Sequence, residues 1–245
     1  MLSEPTLEKL KQLHLYAMAD AWTMQRNEPR TLELDFDARL ALLVEAEALA
    51  RDNKRIVRLL REAKLRIPSA CMEDVDAAPK RELDRVLLRQ LGTARWIADH
   101  LNVLITGMTG VGKTYLACAL GQLACRRGFR VLYRRVPRLL EELHIARADG
   151  TYTRLLARWA KIDVLVLDDW GLAPLTEMQR RDILEIVEDR HGARSTIITS
   201  QLDVKKWHDH LGDPTMADAI LDRVVHNAIR IQPKGPSRRK PEKES

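Results

Sequence analysis

Gly107-Met108-Thr109-Gly110-Val111-Gly112-Lys113-Thr114 is a glycine, four residues, then Gly-Lys-Thr, the complete phosphate-loop pattern. Glycines let the backbone curl so that successive N–H groups point inward, which makes a cradle for an anion. A helix starting where the loop ends adds its N-terminal dipole to that cradle. In this pattern Lys113 reaches the β- and γ-phosphates, and the Thr114 hydroxyl ligates magnesium. Residues Gly107 to Thr114 therefore point to ATP and Mg2+ bound together. A short apolar strand, Leu101–Thr106, precedes the loop and a helical pattern follows it, which is the context the motif requires.

The metal needs an acid from a neighbouring strand. Val164-Leu165-Val166-Leu167 ends in Asp168-Asp169. Asp168 is placed to hold the magnesium, and Asp169 to orient or polarise the attacking water. Many ATPases use glutamate at the second position. Aspartate is one methylene shorter, so slow turnover is expected. Another strand, Thr196-Ile197-Ile198-Thr199-Ser200-Gln201, also ends in polar groups. One of them either senses the γ-phosphate or merely terminates the strand, with Ser200 the first candidate and Thr199 the second. Arg223 falls on a helical pattern, where it serves in trans as a finger on a neighbour's ATP or pairs locally with Asp218 or Asp222.

The elements that must carry these residues follow from periodicity. Short runs rich in Val, Ile and Leu at 102–106, 129–133, 162–167, 195–199 and 229–232 read as strands. Helical patterns at 112–127, 136–147, 151–160, 176–191 and 216–228 separate them. Such alternation predicts an α/β core, a parallel sheet covered by helices on both faces. Before it, residues 6–22 predict one amphipathic helix, and a second starts at the cap Asp35 and runs to Pro68. On that second helix Arg51, Lys54, Arg55, Arg58 and Arg61 share one face. A phosphate backbone would be held by such a row, while a solvated charged face has the same pattern. Pro68, the acids Glu73, Asp74 and Asp76, and Ala77-Ala78-Pro79 mark a boundary. The expected division is a small all-α domain at 1–75, the nucleotide-binding domain at 76–232, and a basic tail at 233–245 biased enough to be disordered.

These residues resemble the IstB family, ATP-binding helpers of two-gene insertion sequences related to DnaC-type helicase loaders. The resemblance is carried by Leu104-Ile105-Thr106-Gly107 and the loop after it, Asp168-Asp169-Trp170-Gly171 and Ile198-Thr199-Ser200-Gln201-Leu202. Further matches are Trp207-His208, Gly212-Asp213-Pro214-Thr215, Asp218-Ala219-Ile220-Leu221-Asp222-Arg223 and, nearer the N-terminus, Ala38-Arg39-Leu40-Ala41-Leu42-Leu43 with Glu45. It implies an AAA+ core in which Lys113 and Thr114 are the Walker A pair and Asp168 and Asp169 the Walker B pair. It further implies Ser200 as sensor 1 and Arg223 as the finger. It also implies a homo-oligomer driven by ATP, double-stranded DNA as a partner and the transposase of the same element as another, with the arginine face at 51–61 meeting either the DNA or the transposase. The family's C-terminal Gly-Glu-Ser-hydrophobic-Arg is here Gly235-Pro236-Ser237-Arg238-Arg239. Arg239 keeps the position of the candidate sensor 2 that would contact ATP.

Composition sets the outer bounds. At 245 residues the chain suits one nucleotide-binding core with a helical appendage. Hydrophobic residues reach 45% and aromatic residues only 4%, which favours helices on an aliphatic sheet over a sandwich or barrel. A net charge of +6 favours an acidic partner, most simply nucleic acid. Cys71, Cys118 and Cys125 form no CxxC pair, which points to a reducing compartment. No apolar run approaches the ~20 residues of a membrane span, so a cytoplasmic protein without a membrane partner is expected. Three other readings stay open: a helicase loader with the same engine, a nucleotide kinase or metabolic P-loop enzyme, and a module that holds ATP without turnover. No constellation of lid arginines with an acceptor pocket supports the second.

Overall fold

The computed structural model describes residues 3–76 and 81–237, so Ala77, Ala78 and Pro79 of the expected linker, and the tail from Arg238 on, lie outside it. The chain divides between Arg58 and Leu59 into two compact units.

In the first unit α1 (Ser3–Gln12), α2 (Tyr16–Asn27) and the single turn α3 (Pro29–Leu32) precede the long α4 (Phe36–Ala63), whose last residues belong to the second unit. The single helix expected over 6–22 is broken at His14, whose φ is 58°. The amides of His14 and Leu15 bond back to the carbonyls of Lys11 and Leu10 at 3.0 and 2.9 Å. That closure on a left-handed residue is how a helix end satisfies its last carbonyls. Asp35 caps α4 as expected, its carboxylate accepting from the Ala38 amide at 2.8 Å. The helix stops at Ala63 instead of Pro68, because Lys64 turns left-handed with φ 51°.

The second unit holds the sheet. Two short helices, α5 (Arg85–Gly92) and α6 (Arg95–Ala98), lead into β1 (Asn102–Thr106), α7 (Lys113–Arg126) and β2 (Val131–Arg135). Then come α8 (Val136–Ala148), α9 (Tyr152–Ala160), β3 (Val164–Trp170), α10 (Glu177–Arg190) and β4 (Ser195–Ser200). The unit continues through α11 (Trp207–Leu211), α12 (Pro214–Val225) and β5 (Ala228–Ile231). All five strands pair in parallel, in the order β2-β3-β4-β1-β5.

Strand side chains alternate between the two faces of the sheet. Val103, Ile105, Val164, Val166 and Ile197 pack with Leu116 and Leu120 of α7 and with Leu91 and Trp96 ahead of the sheet. Leu104, Leu165, Leu167 and Ile198 pack instead with residues of α8 to α12, among them Leu139, Trp159, Ile183 and Ile220. Helices thus cover both faces, as the alternating pattern predicts. Leu59, Ala63, Leu65 and Ala70 belong to the first of these cores. The segment after Arg58 therefore packs with the sheet, ahead of the boundary that composition suggests at residue 75.

Two features of the sheet bear on the site. The strands β1, β3 and β4 end at one edge, with Thr106 opposite Ser200, the edge where ligands bind in open α/β sheets. Register then slips between Leu167–Ile198 and Trp170–Ser200, so Asp168 and Asp169 share the place opposite Thr199. That extra residue is a β-bulge, and Asp169 occupies it with φ 63°. β3 accordingly runs past the end of its apolar stretch. Among the described residues no helix is long and apolar enough to cross a membrane.

Candidate nucleotide site

The phosphate loop hangs from the end of β1. Gly107, Gly110 and Gly112 hold φ of 154°, 86° and 99°, the last two in the left-handed region open to glycine. A Cβ at Gly107 would lie 2.9 Å from the Pro233 carbonyl oxygen, and one at Gly110 would overlap Ser237. The loop therefore lies directly against the chain that follows β5. Gly112 caps α7 without a side-chain hydrogen bond, which leaves the first-turn amides facing the loop as an anion site. Lys113 is buried, and its ammonium donates to the Gly107 and Met108 carbonyls at 2.7 and 2.8 Å.

Asp168 is fully buried and is held from three strands or helices at once. The Thr114 hydroxyl donates to it at 3.1 Å, and the Tyr133 hydroxyl at 2.5 Å. The Thr199 hydroxyl donates as well, and the Arg66 guanidinium stands 3.9 Å away. Burial, with the carboxylate alongside, pushes Tyr133 up, so its proton stays on and it remains a donor. Thr199 also accepts from the Asp169 amide at 3.2 Å and so clamps the bulge. The Asp169 side chain turns to Arg135, the last residue of β2, at 2.7 Å.

A cleft of about 380 Å3 opens over these groups, lined by Thr109, Gly110, Lys113, Thr114, Arg135 and Asp169 and closed by Arg66, Ile67 and Tyr115. One carboxylate and one hydroxyl, their oxygens 3.1 Å apart, suit magnesium, which keeps few protein ligands and completes its shell with phosphate and water. The donor set fits the ion that the loop implies.

The chain matches the family described as IstB-like ATP binding protein over residues 8–245. It belongs to that family. It is 50% identical over 240 residues to the insertion sequence ATP-binding protein y4pL of Sinorhizobium fredii, covering 98% of each chain. It is 52% identical over 202 residues to the ATP-binding protein of insertion sequence IS1162 of Pseudomonas fluorescens, covering 82% of this chain and 87% of that one. Among solved structures it resembles the DnaC helicase loader at a TM-score of 0.57 and 23% identity, over 67% of this chain and 97% of that one. DnaI gives 0.59 and 26%, over 72% and 93%. The fold is that of AAA+ proteins, and this IstB-like chain is an ATP-binding member of the group.

In this IstB-like protein the structure brings Lys113, Thr114, Asp168 and Asp169 together as the sequence suggests. Ser200 is turned elsewhere: its hydroxyl donates to the Trp170 carbonyl at 2.8 Å and accepts from the Leu202 amide at 3.0 Å. Thr199, the second candidate, is the hydroxyl in contact with both aspartates. Arg223 pairs with Glu188 of α10 and donates to the Ala219 carbonyl at 2.9 Å. Asp222 is 4.0 Å away, while Asp218 meets His208 at 3.3 Å. Asn102, first residue of β1, donates to the carbonyls of Arg223 and Val224 at 3.2 and 3.1 Å. Arg223 thus sits at the opposite edge of the sheet from its own phosphate loop. Arg239 lies outside the described residues, as do Arg238, Lys240 and Lys243.

Arg51, Lys54, Arg55, Arg58 and Arg61 are exposed along α4. Arg51 pairs with Glu47 at 2.8 Å, and Lys54 stands 5.9 Å from the Tyr16 ring centre. Sequence reasoning missed Tyr133, Arg135 and Arg66. Tyr133 and Arg135 end a strand whose neighbour is β3, and Arg135 is in register with Asp168. Their alternation on that strand was a usable signal, once strand order was known. Arg66 carried none, because it falls in a stretch read as helix that the structure turns into a connector after Ala63.

Proposed function

We propose that the chain is an ATPase that hydrolyses magnesium-ATP slowly, assembles as a homo-oligomer on double-stranded DNA and recruits the transposase of its insertion sequence. The observation that carries this reading is the buried Asp168 on the Thr114 hydroxyl beside the loop amides, with Asp169 one residue on at the cleft wall. In the reaction, loop amides and Lys113 hold the phosphates, and Thr114 and Asp168 hold the ion, which supplies Lewis-acid polarisation of the phosphoryl oxygens. Asp169 orients the attacking water. Its ion pair with Arg135 turns it aside, so that release of Arg135 accompanies turnover. Thr199 is the better sensor of the two strand-end hydroxyls, since it touches both aspartates.

The place of Arg223, across the sheet from its own loop, supports action in trans on a neighbour's ATP. Relatives named for insertion sequences support transposition as the process, and the exposed arginine row of α4 supports binding to phosphate backbones. Such work belongs in the cytoplasm. A second reading is a helicase loader, because the fold is shared with the DnaC helicase loader.

The test is gel filtration of the protein on duplex DNA with a slowly hydrolysed ATP analogue, together with phosphate release. A DNA-bound oligomer formed only with nucleotide, and phosphate release lost in Lys113→Ala, is the expected result. A monomer under every condition rejects the assembly. Capture of a replicative helicase, with no capture of the transposase, favours the loader.

A further inference from the structure

Arg66 has no place in the scheme above, yet its guanidinium stands 3.9 Å from Asp168, the carboxylate assigned to the metal. We propose that Arg66 is a resident counter-cation for Asp168, occupying the electrostatic place of magnesium and giving way when the ion enters with ATP. The inference rests on the reading that this cleft takes magnesium-ATP.

Asp168 is buried outright, and a buried carboxylate is costly unless it is both hydrogen-bonded and charge-compensated. Three hydroxyls supply the hydrogen bonds, from Thr114, Tyr133 and Thr199, but none carries charge. Arg135 is bonded to Asp169 at 2.7 Å and reaches Asp168 only through space. Arg66 supplies the charge without a hydrogen bond, since 3.9 Å is beyond hydrogen-bonding range. A contact of that kind compensates a carboxylate, and a replacement cation can take it over with no hydrogen bond to break.

The backbone around it is packed, while the side chain reaches out beside the Tyr133 hydroxyl. Leu65 and Ala70 are buried in the core that includes α7, and a Cβ on Gly121 of α7 would come 3.0 Å from Leu65. The Arg66 side chain is 45% exposed and lines the cleft. With a divalent ion held by Asp168, the guanidinium would be repelled into the cleft it already borders.

Calorimetry of the full chain with ATP, once in excess Mg2+ and once in excess chelator, tests this in wild type, Arg66→Gln and Arg66→Lys. In chelator Arg66→Gln leaves Asp168 facing the triphosphate uncompensated, and affinity falls about three- to tenfold. In Mg2+ the ion does the compensating, and affinity stays at the wild-type value or rises. The gain in affinity that Mg2+ confers therefore grows by at least that factor. Arg66→Lys, which keeps the charge, stays near wild type in both media. An equal loss in both media marks a merely structural position and overturns the proposal, as does an unchanged Mg2+ gain. Absence of ATP uptake by wild type in Mg2+ defeats the parent reading as well, an outcome distinct from failure at Arg66 alone.

Discussion

Asp168 and Asp169 are neighbours in the chain with opposite surroundings. One is sealed under three hydroxyls, and the other is turned out by a left-handed φ of 63° to meet Arg135. On the proposed reading the pair divides the work, one holding the ion and the other the water, and substitutions separate the roles. Asp169→Asn is expected to lower phosphate release by about two orders of magnitude, the scale of a lost general base. ATP uptake measured by calorimetry should remain within about threefold, because the carboxamide still satisfies the Arg135 side of the cleft. The two strand-end hydroxyls part in the same way. Thr199→Val removes one hydrogen bond from each aspartate and should cut phosphate release more than tenfold, on the scale of a lost transition-state contact. Ser200→Ala loses only the link between the Trp170 carbonyl and the Leu202 amide, so it should cost stability of about 1 kcal/mol and leave turnover near normal. If Ser200→Ala instead abolished release and Thr199→Val did not, the sensor assignment would revert to Ser200.

At the scale of elements, the far edge of the sheet is fastened by one buried charge. Arg190, the last residue of α10, donates to the carbonyls of Trp159 and Ile162 at 2.9 Å each and of Ser195 at 2.5 Å, and to the Thr196 hydroxyl at 3.1 Å. Burial lowers its pKa to about 9, which still leaves it charged near neutrality. It ties α9, α10 and the starts of β3 and β4 together, and those two strands carry Asp168 and Thr199 at their other ends. Arg190→Met should cost about 3 kcal/mol or more in a denaturant titration, since several buried acceptors lose their partner. The bulge in β3 is set by the opposite end of the same strands. An unbulged β3 would send Asp169 to the face away from the cleft, because each residue of shift exchanges the faces.

At the scale of the whole molecule, the loop at one edge of the sheet and Arg223 at the other cannot serve the same ATP within one chain. β1 alone, with five residues, spans about 15 Å between them. Mixing two inactive proteins tests the arrangement. Arg223→Ala keeps its own loop, and Lys113→Ala keeps its own arginine, so mixed assemblies contain interfaces with both intact. Phosphate release is expected to reappear on mixing, whereas each variant alone stays silent. Silence of the mixture, with assembly preserved by gel filtration, would remove Arg223 from the reaction.

Sequence alone determined the ligand and the kind of fold. The phosphate loop is contiguous, so its eight residues announce their chemistry without any knowledge of packing. The alternation of aliphatic runs with helical patterns likewise forces a covered parallel sheet. Tertiary structure decided everything that depends on strand order and on single φ angles. Tyr133 and Arg135 reach the aspartates only because β2 lies beside β3, and Arg66 only because α4 ends at a left-handed Lys64. Thr199 rather than Ser200 meets both acids because a bulge after the apolar run of β3 places one hydroxyl opposite the two of them. Contacts between residues distant in the chain leave no periodic trace, and the physical reason is that their proximity is a property of packing.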